Sequence, residues 1–171
     1  MKRLRILLVG IVLLALFGFL YATRNAGEVL TSYTFIAVNA PAEKTWAILT
    51  DLSSYPSWNP YVVEAEGTLA VGKKLKVDEQ VDGKRHTHKV RVTRFDTATH
   101  ELRWEGSLVP AMLLKWDEGF LVEAVDADHS RVAMMNSHQG LLAKMYRKYN
   151  QNRDLKAFRE FGAALKKRAE Q

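Results

Sequence analysis

One carboxylate and two imidazoles fall on the same face of a β-hairpin. Residues 73–81, KKLKVDEQV, alternate strictly, with Leu75, Val77 and Val81 on one face and Lys74, Lys76, Asp78 and Gln80 on the other. Asp82-Gly83 follows and predicts a two-residue hairpin turn, with KRHTHKVRVTRF (84–95) as the return strand. That turn sets a register: Val81 opposes Lys84, Glu79 opposes His86, Val77 opposes His88 and Leu75 opposes Val90. Leu75, Val77, Val90 and Val92 fix the inward face, and on the same count Glu79, His86 and His88 point inward. A carboxylate opposite an imidazole makes a charge-assisted hydrogen bond. In a cavity the pair orients a polar ligand head or moves a proton, with His86 as acid/base and Glu79 holding it. At a hairpin end it can equally sit in a wet rim. Two imidazoles and a carboxylate also make three of the four ligands of a zinc site. No further ligand is evident in the sequence, so neither a metal nor another cofactor is expected.

The remaining polar candidates are Asn136, which shares parity with Val132 and Met134, and Asn152, which interrupts the apolar spacing of the last helix. Either has a plain alternative role in satisfying a neighbouring backbone group. There is no nucleophile elbow, and the VGKK of 71–74 is a turn rather than a phosphate loop. The absence of cysteine excludes disulfides, thiolate catalysis and zinc ribbons.

Charge is uneven along the 171 residues. The net +6 divides into +3 over 1–28, −3 over 29–139 and +6 over 140–171. Nucleic-acid binding would gather cations and stacking aromatics on one surface, and this pattern does not, so no nucleic-acid partner is expected. With 47% hydrophobic and 10% aromatic residues, the chain has the means to bury one domain's core.

The N-terminus reads as an address. Three cations in residues 1–5 precede an uncharged run at 6–22, and Arg24 follows it. Seventeen helical residues rise about 26 Å, which predicts a transmembrane signal anchor. The positive-inside rule then keeps the basic n-region 1–5 cytoplasmic, and places 23–28 as a linker and 29–171 as an extracytoplasmic, periplasmic domain tethered to the inner membrane. The alternative is a cleaved signal peptide, for which Leu20-Tyr21-Ala22 is the best cleavage site although Leu20 is too large for an ideal one.

Positioning elements follow in order. VLTSYTFIAV (29–38) reads as a strand, and NAPAEKTWAILTDL (39–52) as a short helix entered through Pro41. Pro56 and Pro60 confine DLSSYPSWNP (51–60) to turns or one helical turn. About six strands come next, and then a long helix over 141–169 with Met145, Tyr149, Leu155, Phe158, Phe161, Gly162 and Leu165 as one apolar stripe. The class is α+β: a curved antiparallel sheet gripping a long C-terminal helix, with two short helices after the first strand and the transmembrane helix ahead of it.

The segment PAEKTWAILTDLSSYPSWNPYV (41–62) resembles the first helix pair of START-like, helix-grip proteins. More narrowly it is similar to the polyketide cyclase/dehydrase and lipid-transport branch of the SRPBCC superfamily. Asp51, Tyr55, Pro56, Trp58, Asn59 and Pro60 carry the resemblance. Leu102 and Trp104 match the family's Leu-x-Trp strand, and SRVAMMNSHQGLL (130–142) its last strand and the Gly before the long helix. The turn at 126–130 departs from the family's Gly-Gly-x-Thr pattern, and no catalytic residue of the family carries over. The resemblance implies a hydrophobic or lipid-like ligand held between sheet and helix. The residues expected to line its apolar wall are Trp58, Leu75, Val77, Val90, Leu102, Trp104, Phe120 and Met134. Glu79, His86, His88 and Asn136 form the polar side. A binding domain is the first reading. The others are an aromatase/cyclase- or dehydratase-like enzyme using Glu79 and His86, and a non-ligand structural or regulatory module with a filled core.

Overall fold

In the computed structural model the described residues are 2–81, 83–107 and 110–171, with backbone alone for 2–6 and 21–26. The chain runs α1 (Lys2–Ala26), β1 (Leu30–Val38), α2 (Ala42–Thr50), a 3₁₀ turn (Leu52–Ser57), β2 (Val62–Glu66), β3 (Lys74–Val81), β4 (Lys84–Asp96), β5 (Glu101–Ser107), β6 (Lys115–Ala124), β7 (Ser130–Gln139) and α3 (Ala143–Ala169). The seven strands form one antiparallel sheet ordered β1-β7-β6-β5-β4-β3-β2. The chain therefore leaves one edge at β1, crosses to the other through α2 and the 3₁₀ turn, and meanders back until β7 closes against β1. Register shifts at Val62/Glu64 and Val92/Arg94 mark bulges, which bend the strands. α3 packs on β1, β7 and α2.

The hairpin register holds as expected from its sequence, with Val81↔Lys84, Glu79↔His86, Val77↔His88 and Leu75↔Val90. Asp82 of its turn lies outside the described residues.

The expected membrane anchor is corrected. Among the described residues no helix is long and apolar enough to cross a membrane. The single-pass anchor over 6–22, and the extracytoplasmic placement that rested on it, fall with that finding. α1 also runs on through Ala26, into the stretch expected as a linker.

The apolar stripe of α3 needs a second correction. Phe158, Phe161, Gly162, Leu165 and Ala169 are buried, but Met145 and Tyr149 are 54% and 73% exposed. Tyr149 stands nine residues before Phe158, and at 100° per residue that is half a turn away. Followed backwards, the buried face instead meets Asp154 and then Tyr146 and Arg147, which are polar. At Gly162 the helix packs tightly on the sheet: a Cβ there would sit 3.0 Å from side-chain atoms of both Ile36 and Met134.

DLSSYPSWNP joins the short helices to the sheet. Tyr55 is fully buried, and its hydroxyl donates to the Leu49 carbonyl at 2.6 Å, one of the last carbonyls of α2, which helix geometry leaves without a partner. Asn59 Oδ1 accepts from the Tyr61 and Val62 amides at 3.0 and 2.9 Å, just where β2 begins. Trp58 Nε1 donates to Ser54 Oγ at 3.1 Å while its ring meets Tyr55 and Phe161. Tyr55→Phe keeps the ring and leaves that carbonyl unpaired, so stability should fall by about 1–2 kcal/mol in urea denaturation. An unchanged midpoint would mean water replaces the hydroxyl.

Candidate functional site

Alternation along β6 turns Trp116, Glu118, Phe120 and Val122 toward α3. Phe120 and Val122 are core, so a carboxyl shares a stripe of large apolar side chains. Gly106 on β5 makes room for Trp116, because a Cβ there would collide with the indole. Between this stripe, the β3–β4 hairpin and the first half of α3 lies a cavity of about 210 Å³. Val81, Leu114, Trp116 and Ala157 give it apolar walls, and Tyr61, Glu79, His88, Glu118, Asn136, His138, Tyr146, Arg153 and Asp154 face it with polar atoms.

Glu118 is 4% exposed. Trp104 Nε1 donates to its Oε2 at 3.0 Å, and Asn136 Nδ2 lies 3.5 Å from its Oε1. Burial pushes the Glu118 carboxyl up to about 8, with the nearby charge of Glu79 adding to the rise and the indole N–H opposing it. Glu79 pairs with His88, Oε2 to Nε2 at 3.4 Å. That hydrogen bond holds the His88 imidazole above its usual range, against the opposing pull of burial. Asp154 pairs with Arg153 at 3.3 Å, and its carboxyl is raised by burial, with Arg153 working the other way. Arg153 Nη2 also donates to the Tyr146 hydroxyl at 2.8 Å. The Tyr146 ring lies 4.6 Å from that of His138. Burial, helped by the charges of Arg147 and Arg153, lowers the His138 imidazole to about 4.

Of the residues expected at the site, Glu79, His86, His88 and Asn136 line this cavity. His86 opposes Glu79 in register, yet the ion pair runs diagonally to His88. Strand twist brings such diagonal neighbours within reach of long side chains. His86 stands at the exposed mouth with its ring parallel to His88, 6.4 Å between centroids. Leu75, Val77, Val90, Leu102, Trp104, Phe120 and Met134 are packed in the core, with the half-buried Trp58 against them. The closed end of the grip is therefore filled, and the open volume lies toward the hairpin. Asn152 is exposed.

Sequence reasoning missed Glu118, His138, Tyr146, Arg153 and Asp154. Parity was available for two of them, since Glu118 precedes Phe120 by two and His138 follows Asn136 by two. The helix residues needed the correct phase of α3. Among the described residues no three carboxylates or imidazoles gather closely enough to hold a metal ion.

A curved antiparallel sheet gripping a long C-terminal helix over a partly open interior defines a START-like, helix-grip domain. The chain belongs to the polyketide cyclase/dehydrase and lipid transport family, whose model matches residues 30–148. That membership supports hydrophobic-ligand binding or cyclase-like chemistry as the broad function. The fold is similar to that of the Zhui aromatase/cyclase from Streptomyces sp. R1128, at 14% identity and TM-score 0.70 over 84% of this chain and 94% of that one. It is also similar to a START superfamily protein from Mycobacterium smegmatis, at 19% identity and TM-score 0.64 over 82% and 97%. Norcoclaurine synthase from Thalictrum flavum, in complex with dopamine and hydroxybenzaldehyde, aligns at 12% identity and TM-score 0.65 over 83% and 87%. Identities this low speak for the fold alone. No curated protein matches the sequence.

Proposed function

We propose that the domain binds a small, mainly hydrophobic molecule between sheet and helix. The observation that carries this reading is the cavity of about 210 Å³ with Trp116, Leu114, Val81 and Ala157 as apolar walls. A few polar groups among apolar walls are the usual make-up of a small-molecule site. The volume suits a compact molecule of one or two rings better than a long acyl chain. A filled structural module loses support, because the hairpin end of the interior holds this cavity.

Native mass spectrometry of the purified full chain should show a bound small molecule that is released on denaturation. Ala157→Phe fills the cavity from α3 and should abolish that adduct. An empty wild-type chain that also takes up no environment-sensitive naphthalene dye would overturn the reading.

The pairing of Glu79 with His88 beside Glu118 favours one second reading, a cyclase- or dehydratase-like enzyme. His88 would then be the acid/base and Glu79 the residue that orients it, in place of the pair with His86. Turnover of a bound molecule that His88→Gln abolishes, with binding retained, would separate catalysis from simple binding.

A further inference from the structure

We propose that the molecule held in this cavity carries a neutral hydrogen-bond-accepting oxygen, a carbonyl or hydroxyl, which Glu118 meets as a carboxylic acid. This rests on the binding reading above and names the chemistry that the site selects. Three observations support it.

The first is position. At 4% exposure Glu118 interrupts the apolar run Trp116–Phe120–Val122 on the cavity wall. A buried carboxyl destabilises unless its polar atoms are used; one oxygen answers the buried Trp104 indole N–H, which a leucine would strand, and the other is left for the cavity.

The second is the direction of its hydrogen bonds. Oε2 accepts the Trp104 indole N–H at 3.0 Å, and an indole only donates. The acid proton therefore belongs to Oε1. Its neighbour is Asn136 Nδ2, itself a donor, at 3.5 Å, the outer limit of a hydrogen bond, and a donor cannot accept the acid proton. Asn136 also lines the cavity, so the O–H is available to a molecule lying there.

The third is the charge balance around Glu118, where His86 stands at the exposed mouth and Asp117, on the same strand, is paired with Arg103. From β3 and β4, Glu79 is matched by His88. From α3, Asp154 is matched by Arg153, which also holds the Tyr146 hydroxyl. From β7, burial keeps the His138 imidazole neutral near pH 7, and Tyr61 before β2 is held in its neutral form by burial and by the surrounding carboxylates. The charged groups are thus paired with one another, and a neutral guest leaves those pairs intact. A cation would have to break one of them or ionise Glu118. The burial that raises the Glu118 carboxyl to about 8 agrees with its acid form at neutral pH.

The test compares three probes of similar size on the full chain by NMR titration: acetophenone, ethylbenzene and benzylamine. Acetophenone should bind about tenfold more tightly than ethylbenzene at about pH 6, and the ratio should fall toward one at about pH 9, where Glu118 has lost its proton. Glu118→Gln keeps an N–H donor in the same place and should preserve the preference at both pH values. Glu118→Leu should remove it at both. Equal affinity for acetophenone and ethylbenzene at the lower pH would overturn the inference and leave the binding reading standing. Tightest binding by benzylamine would overturn it in favour of a cationic guest. Binding of none of the three would overturn the binding reading and take this inference with it. The wild-type pH profile stands as a test by itself should either variant fail to fold.

Discussion

Replacing Phe161 with alanine should destabilise the domain by about 3–5 kcal/mol. Phe161 is 2% exposed, and its ring lies 5.8 Å from Trp58 and 5.4 Å from Phe120 between centroids. It thus ties α3 to the loop after α2 and to the middle of the sheet at once. Truncation removes most of a large buried side chain and leaves a hole that three different elements would have to close together. The backbone around it resists that movement, because Gly162 already brings the helix against Ile36 and Met134. Urea denaturation should show the loss as a lowered midpoint with an unchanged slope. Tyr149→Ala is the matched control: same helix, similar ring, 73% exposed. It should change stability by less than about 0.5 kcal/mol. Equal losses from the two variants would show that the whole apolar spacing of α3 is buried in solution, contrary to the packing described.

That contrast shows how far the sequence could be read. Strand alternation and a two-residue turn fix the hairpin register because the side-chain period is two and the turn length is short. The same alternation puts Glu79, His86 and His88 on one face of the hairpin, which lines the cavity. Which imidazole pairs with Glu79 was not legible, since it depends on twist between strands rather than on parity. Along α3 the apolar residue types misled. Met145 and Tyr149 continue the spacing by three and four, yet a helix drifts with each repeat, and after nine residues the direction has reversed. The same drift hid Tyr146, Arg153 and Asp154, polar residues on the face that turns toward the sheet. The motif DLSSYPSWNP identified the fold because it does local work that only its residues can do. Tyr55 closes the end of α2, Asn59 starts β2, and Trp58 covers the closed end of the core. None of those roles touches the open cavity, so the segment most specific for the family says least about the guest. Glu118, the residue with most to say about it, sits in a stripe of large apolar neighbours where a carboxylate attracts no notice unless its parity is counted.

Stability should fall as the pH rises from about 6.5 to about 9, and Glu118→Gln should abolish most of that fall. Glu118 goes from an ordinary value of 4.5 to about 8 on folding. A buried acid shifted upward binds its proton more tightly in the folded chain than in the unfolded one. Its stabilising contribution is therefore complete below 4.5 and is lost as pH rises through about 8. From 4.5 to about 8 the change is on the order of 5 kcal/mol, with about 2 kcal/mol of it above pH 6.5, because almost no solvent reaches the carboxyl to screen it. His88, also shifted upward, adds to the loss in the same direction. His138 acts oppositely: its imidazole falls from 6.5 to about 4, so its contribution is present above 6.5 and disappears as pH falls through about 4. Between pH 4.5 and 6.5 the two groups oppose each other, which leaves the clean Glu118 signal on the alkaline side. Urea midpoints at about pH 6.5 and about pH 9 should drop steeply for the wild type and little for Glu118→Gln, whose amide has no proton to lose. The variant should then be the more stable chain at the higher pH, although it is no better packed. Parallel pH profiles for the two proteins would mean that Glu118 does not take up its proton on folding. The donor assigned to it in the cavity would fall with that result, while the sheet, the helix and the open volume between them would stand.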